Sequence, residues 1–576
     1  MGRTINKVLA ASILAVLLVA DAGAATRNKQ TFDKLAGQIL ETLQSFYPVQ
    51  ATEKGIHSYD HRLTDYSSKA VREMLKDLDD YVKELHKYRN VQFETADRVN
   101  YELIRSNVEI AILDLKQIKW HEKLPQVYVD EALHGVYSLM VSQHAPMSEK
   151  LYPIIARMKA VPELFVTARK NIRKPPEVYV EVARETLEAA IEFYRQAAGE
   201  LAHQFPERAD ELMEVSTKAR EAMHEFSVYL ADIERGPETS FAIGKQDFDY
   251  KLKHEYFLNI DSDSLLKIGE NLFAQADSVY QEYRDYVEND HQNGLEDVFV
   301  PASFNRQDIL DYYQWEVGEM IAFLDRRDIV TVPEGIAELK VVETPPFLRS
   351  MVAGIAYNPA GPFDSIQTGY FYVRPIPEQL DSAQLAARYR YVHRRGFKGS
   401  MVHEGYPGHH LQTQIAGMNE SPVRKWQSNT MMQEGWALYC EEMMYGAGLY
   451  GNENPAMWLA ILGGIRYRAA RIVADVKLHT GQFTFAECFE WMTRVLDAET
   501  EADKDYHRRI IRKYTMTPTV WMSYLMGKRE IERLRDAVME RDGDAFSERD
   551  FYDDLLAEGS IPPALMWDIL GLQPTP

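Results

Sequence analysis

The chain has 576 residues, 45% hydrophobic, 26% charged and 11% aromatic, which is the balance of a folded globular protein and excludes a disordered one. Its 65 Lys and Arg against 87 Asp and Glu leave a net charge of −22, a sign that repels phosphate backbones and anionic lipid and so argues against nucleic acid and membrane surfaces as partners. Two cysteines, Cys440 and Cys488, cannot staple a scaffold; one bridge between them and two buried thiols are both open.

The N-terminus has the layout of an export signal. Arg3 and Lys7 precede an apolar run from Val8 to Ala20 that is too short for a comfortable membrane span. Ala22-Gly23-Ala24 then supplies the small residues a signal peptidase reads, so residues 1–24 are expected to be removed after Ala24. No cysteine lies near that point to carry a lipid. The cut removes Arg3, Lys7 and Asp21, leaving the mature chain one unit more negative. No later stretch is long and apolar enough to enter a bilayer, so the expectation is a soluble protein in the periplasm or outside the cell.

Apolar residues then recur at helical spacing over 30–46, 69–88, 95–117, 175–201 and 208–234. The clearest case opens at Pro175, where a missing N–H costs nothing, and repeats Ala183, Leu187, Ile191 and Tyr194. ERGPETSFAIGKQ, at 234–246, interrupts this pattern and divides an N-terminal helical region (25–235) from a second region (236–576). Within the second, 339–375 mixes Pro and Gly with β-branched and aromatic runs, and GYFYVRP reads as a strand. As a sheet edge that strand can pair with an extended peptide, with Tyr370 against the substrate; its other reading is an internal hairpin. Helical patterning resumes at 381–397 and 426–540.

Between these helices stands HEGYPGHHLQ, residues 403–412. In the common zinc-peptidase pattern His-Glu-x-x-His the second ligand falls four residues after the first, but here that position is Pro407. A hydrolytic zinc site needs three ligands drawn from His and carboxylate, an open position for water, and a carboxylate to take the water's proton. His403 and one of the following histidines, His409 or His410, supply two ligands, and Glu404 is the base. QEGWALYCEEM, at 433–443, presents Glu434 and Glu441 seven residues apart on one helical face. One can ligate while the other holds a ligating histidine from behind.

HEGYPGHHLQ followed by QEGWALYCE resembles the bacterial family known as domain of unknown function 885, and the likeness runs from GYFYVRP to PTVWMSYLMGKREIERLR at 518–535. QEGWALY is also similar to the Asn-Glu-Gly-Phe-Ala stretch that carries the third zinc ligand in gluzincin aminopeptidases. The resemblance implies a zinc metallopeptidase with Zn2+ held by His403, His409 and Glu434. Gly408-His409 matches the Gly-His of helical gluzincins with two residues inserted, which a helix bulging at Pro407-Gly408 would absorb. His410 is the rival, on the same face as His403 in a straight helix but about 10 Å further along it.

Arg471, Asp475 and His479 follow at i, i+4 and i+8 on one helical face. They read either as a surface ion-pair ladder, or as Asp475 fixing the tautomer of a His479 that donates to the reaction's oxyanion. Tyr524 is a second candidate donor, and Arg471 can instead hold a substrate carboxylate. The expected fold is mainly α, a large multi-helix fold with a small β element beside a zinc-containing cleft. The expected function is an exported zinc peptidase acting on short peptides. A zinc amidase or esterase on another acyl compound, and a binding protein that holds metal without turnover, are the alternatives.

Overall fold

The structure, a computed structural model, describes residues 28–290, 306–345, 355–373, 379–391, 397–451 and 454–573. The export signal and residues 374–375 of the expected strand lie outside them. Among the described residues the fold is helical apart from one three-stranded sheet, and no helix is long and apolar enough to cross a membrane.

Four helices form an N-terminal bundle: α1 (Gln126–Val141), α2 (Met147–Asn171), α3 (Glu177–Gln204) and α4 (Ala209–Asp232). On α3 the predicted stripe is the packed one, since Ala183, Leu187 and Tyr194 are fully buried and Ile191 half-buried against the same core. Arg157 on α2 is completely enclosed. It is satisfied by donating to the carbonyls of Arg62, Gly135 and Pro48 and to Thr52 Oγ1, with which a buried charge can persist.

The sheet contains β1 (Leu339–Glu343), β2 (Ala356–Asn358) and β3 (Gly369–Val373), in the order β1-β3-β2. β3 is central. It pairs in parallel with β1, Leu339 opposite Gly369, and antiparallel with β2, Tyr357 opposite Phe371. Both of its edges are therefore taken, and the expected edge strand for a peptide is corrected: over 370–372 it has no hydrogen bonds left to offer. Alternation along β3 sends Phe371 and Val373 into one core and Tyr370 and Tyr372 against the N-terminal bundle. The sheet is a wall between two apolar interiors.

The first of those interiors joins Phe32, Leu78 and Val108 to Met401, Trp436 and Leu555, so the two regions drawn at 235 share a core. They also meet at His57, whose Nδ1 lies 2.9 Å from Asp60 Oδ2 and whose Nε2 lies 2.8 Å from Asp364 Oδ1, in the loop between β2 and β3. In the C-terminal half, α5 (Ser262–Asp290) runs along α9 (Pro455–His479), and α8 (Thr430–Gly446) lies against α10 (Ser523–Asp542), with α6 (Phe397–Glu404) and α7 (His409–Met418) beside α8. α8 and α10 touch backbone to backbone. A Cβ added at Gly527 would stand 2.0 Å from the Met431 carbonyl, and one added at Gly435 would stand 2.5 Å from the Gly527 carbonyl carbon.

That contact is tested by Gly527→Ala. Alanine's helical advantage of about 1 kcal/mol cannot offset a rigid clash with backbone, so a net loss of about 1–2 kcal/mol is expected in denaturant unfolding. Gly199→Ala, in open space on α3, is expected to be neutral or stabilising. The His57 bridge makes a pH prediction. Burial pulls its imidazolium down, but the Asp364 and Asp60 carboxylates outweigh that and hold it at about 9, above the ordinary 6.5. A raised histidine stabilises the fold fully below about 6.5 and loses the contribution as pH rises through about 9. The stability difference between wild type and His57→Ala should accordingly shrink between pH 6.5 and 9 in urea titrations; a constant difference would exclude a charged bridge.

Candidate metal centre

α6 ends at Glu404 and α7 begins at His409, with a four-residue turn between them that contains a cis Tyr406–Pro407 peptide. The expected bulge in one helix is corrected: the helix stops and restarts. Pro407 cannot donate to a helical ladder, and Gly405 and Gly408 let the chain fold back on itself. A Cβ at Gly408 would lie 1.9 Å from the His403 carbonyl oxygen. Trp436 Nε1 donates to the Pro407 carbonyl at 2.8 Å and ties the turn to α8. Trp436 stands in QEGWALY, but nothing in its spacing foretold this anchor.

The turn brings His409 back beside His403, their rings 4.9 Å apart and nearly perpendicular. Glu434, on α8, completes the group: its Oε2 is 3.5 Å from His403 Nε2 and 3.6 Å from His409 Nε2. One ligand atom from each residue lies within 4.8 Å of the others. Glu434 Oε2 is buried and has no hydrogen-bond partner. Donors at about 2.0–2.2 Å from a tetrahedral zinc stand about 3.3–3.6 Å apart, so two imidazoles and a carboxylate at this spacing fit such an ion. By contrast, the group of His57, His144 and Asp364 has contacts of proton-sharing length, and its two imidazoles stack face to face with centroids 3.4 Å apart. A proton fits there better than a metal.

His403 is also held from behind. Its Nδ1 is 2.9 Å from Glu441 Oε1, and Arg468 Nη2 reaches the same oxygen at 3.2 Å. Burial lowers the His403 imidazolium, yet Glu434 and Glu441 overcome it and raise the group to about 9. Burial likewise raises both carboxylic acids. His403 and His409 pull Glu434 well below the ordinary range, and Arg468 with His403 lowers Glu441. Arg468 was missed in the sequence, although it lies one turn from Arg471 on α9.

His410 points elsewhere. Its Nε2–H donates to the Ala337 carbonyl at 3.1 Å, and Nδ1 is 3.1 Å from the Tyr357 hydroxyl. Burial depresses it to about 4, so it is a neutral ring with both nitrogens engaged. Glu404 follows His403 directly, close enough to Tyr357 for its charge to be felt there. Among the described residues no hydrogen bond or ion pair restrains its carboxylate. Tyr524, on α10, is near enough to Glu434 to feel its charge, and burial together with Glu434 makes its hydroxyl a weaker acid.

Three expected residues go to other work. His479 is fully buried between Phe241 and Phe248 and gives its Nε2–H to the Tyr514 carbonyl at 2.8 Å. It lies eleven residues, about 16 Å, along α9 from Arg468. Burial lowers it to about 3, so it has no spare proton for an oxyanion. Asp475 does not orient it; the two are 3.9 Å apart. Instead Asp475 accepts from the amides of Thr519 and Met522, both at 3.1 Å, and caps the start of α10, while burial raises it to about 7. Tyr370 stacks on Tyr372 at the N-terminal bundle, on the face of the sheet away from His410. Arg471 is enclosed by aromatic rings next to Tyr524. Cys440 and Cys488 are separate, buried thiols, both made weaker acids by burial.

Residues 48–569 match the family described as a bacterial protein of unknown function, DUF885. The chain belongs to that family. Two solved structures share the fold over nearly all of the chain. One, described as a candidate lipoprotein of unknown function from Shewanella oneidensis, is 20% identical with a TM-score of 0.72, covering 93% of this chain and 98% of its own. The other, a candidate lipoprotein from Colwellia psychrerythraea, is 18% identical with a TM-score of 0.71, covering 94% and 98%. An M32 carboxypeptidase from Deinococcus radiodurans R1 overlaps at 11% identity and a TM-score of 0.41 over 95% and 96%, too loosely to carry an argument. No curated protein matches the sequence.

The ligand set is tested by metal analysis of purified variants. His403→Ala, His409→Ala and Glu434→Ala should each lose most bound zinc, whereas His410→Ala should retain it. Full occupancy in His409→Ala would remove that residue from the site.

Proposed function

We propose that this DUF885 chain is an exported, zinc-dependent peptidase that hydrolyses short peptides. The observation that carries the reading is the buried, unpartnered Glu434 Oε2 facing two imidazole Nε2 atoms, with an unrestrained carboxylate, Glu404, on the residue after the first of them. A zinc ion held by His403, His409 and Glu434 would supply Lewis acidity and lower the pKa of a water to about 7. Glu404 accepts the proton as the water oxygen bonds to the scissile carbonyl carbon, then delivers it to the amine as the C–N bond breaks. A free acid and a free amine result, and no further reactant is needed.

Tyr524 takes the part first considered for His479. Its hydroxyl beside Glu434 donates to the carbonyl oxygen as negative charge develops there. Glu441, backed by Arg468, fixes the His403 ring so that Nε2 faces Glu434. Arg471 contributes to substrate binding. Export follows from the N-terminal layout, and the two solved relatives described as lipoproteins agree with it, although the cysteines of this chain are at 440 and 488.

Glu404→Gln separates chemistry from binding. The amide keeps the size and a hydrogen bond to water but cannot accept the proton, so zinc content and fold should be unchanged while turnover of a mixed peptide library falls about 10²–10⁴-fold. Wild-type rates in Glu404→Gln would end this mechanism. A zinc-loaded wild type that cleaves no peptide, ester or amide would leave a metal-holding binding protein.

A further inference from the structure

Arg471 is 9% exposed, yet among the described residues it makes no hydrogen bond and no ion pair, and its Nε is sealed without a partner. Other enclosed guanidinium groups in this chain are satisfied: Arg157 by three carbonyls and a hydroxyl, Arg466 by Asp277 and Asp497. The Arg471 guanidinium instead lies against four rings, those of Tyr467 at 4.7 Å, Tyr524 at 4.9 Å, Trp521 at 5.1 Å and Tyr514 at 6.0 Å. Such rings hold the cation flat and dry but leave its N–H edge unspent. A buried fork of donors with no acid of its own is built to receive one from outside, and a carboxylate matches it in shape and charge.

The position defines which carboxylate. The Tyr524 ring lies 4.9 Å from the Arg471 guanidinium, and Tyr524 stands near enough to Glu434 to feel its charge, so one tyrosine side chain lies between the guanidinium and the proposed metal ligand. Extended peptide advances about 3.3–3.6 Å per residue, so one or two residues beyond a bond held at Glu434 bring a chain end to Arg471. We propose that Arg471 binds the free C-terminal carboxylate of the substrate, so that the enzyme removes one or two residues from the carboxyl end of short peptides. This rests on the peptidase reading above. It goes beyond that reading by specifying the end attacked, because an internal bond presents no carboxylate at this distance.

The test pairs N-acetylated peptides that differ only in ending as a free acid or an amide, incubated with the zinc-loaded full chain, with products identified by mass spectrometry. Release from the carboxyl end is expected, with kcat/KM at least 100-fold lower for the amides. Arg471→Met should lose a similar factor on the acids, mainly through KM, and little on the amides; Arg471→Lys should recover part of it. Binding supplies a readout without turnover: titration of Glu404→Gln with an acetylated dipeptide acid should show affinity at least tenfold above that of its amide, a difference absent in Glu404→Gln/Arg471→Met. Equal cleavage of acids and amides, internal cleavage, or release of N-terminal residues from unblocked peptides would overturn the proposal and leave the peptidase reading intact. Without any cleavage, the peptidase reading fails, and equal affinity for acid and amide then overturns the role of Arg471 as well.

Discussion

Two half-buried carboxylates, two turns apart on one face of α8, set the terms for the rest of this structure. Glu434 and Glu441 are largely sheltered, their side chains 23% and 16% exposed, and charges so placed are costly unless met by cations. His403 stands between them and answers both, Arg468 reinforces the outer one, and His409 reaches the inner one from a second helix. The stop at 405–408, the Trp436 anchor on Pro407 and the glycine contact of α8 with α10 all hold these charges at working distance. A buried carboxylate oxygen left over between two imidazoles is the product of that arrangement, and it is what a divalent ion would complete.

Precision at His409 comes in part from its neighbour. His410 is neutral, with both nitrogens engaged, and it fills the space beside Gly369 where no side chain would fit. This locks the start of α7 to the sheet, and the sheet in turn is gripped between the two cores by its alternating faces. The His57 bridge to Asp364 adds a charged tie from the N-terminal region to the loop between β2 and β3. The N-terminal bundle thus packs against the sheet that holds the start of α7, although it contributes none of the three proposed ligands.

The enclosed arginines fall into two kinds. Arg157 and Arg466 spend their donors on the protein itself, as buried charges must if their only task is to hold the fold. Among the described residues Arg471 is supported only by ring faces, which stabilise a cation without consuming its hydrogen bonds. The same fold in two solved structures at 20% and 18% identity shows how little of the sequence the architecture itself demands.

Much of this was legible in the residues. The helical stripes, the strand at 369, and the association of HEGYPGHHLQ with QEGWALY follow from local periodicity and from donor chemistry, which act over a few residues and so leave a readable pattern. Equal spacing, however, says only that side chains share a face, not what that face meets. Asp475 and His479 share one with Arg471, but packing turned them to a helix cap and a closed aromatic core while Arg471 came to Tyr524. Tyr370 alternates as a strand residue should, yet which side of β3 faces the candidate ligands depended on two neighbouring strands far apart in sequence. The broken helix, Arg468 behind Glu441 and Trp436 on Pro407 likewise arise from contacts across tens of residues. The sequence by itself determined which groups could hold a metal; only tertiary packing decided which of them meet, because burial and partner are properties of the assembled interior.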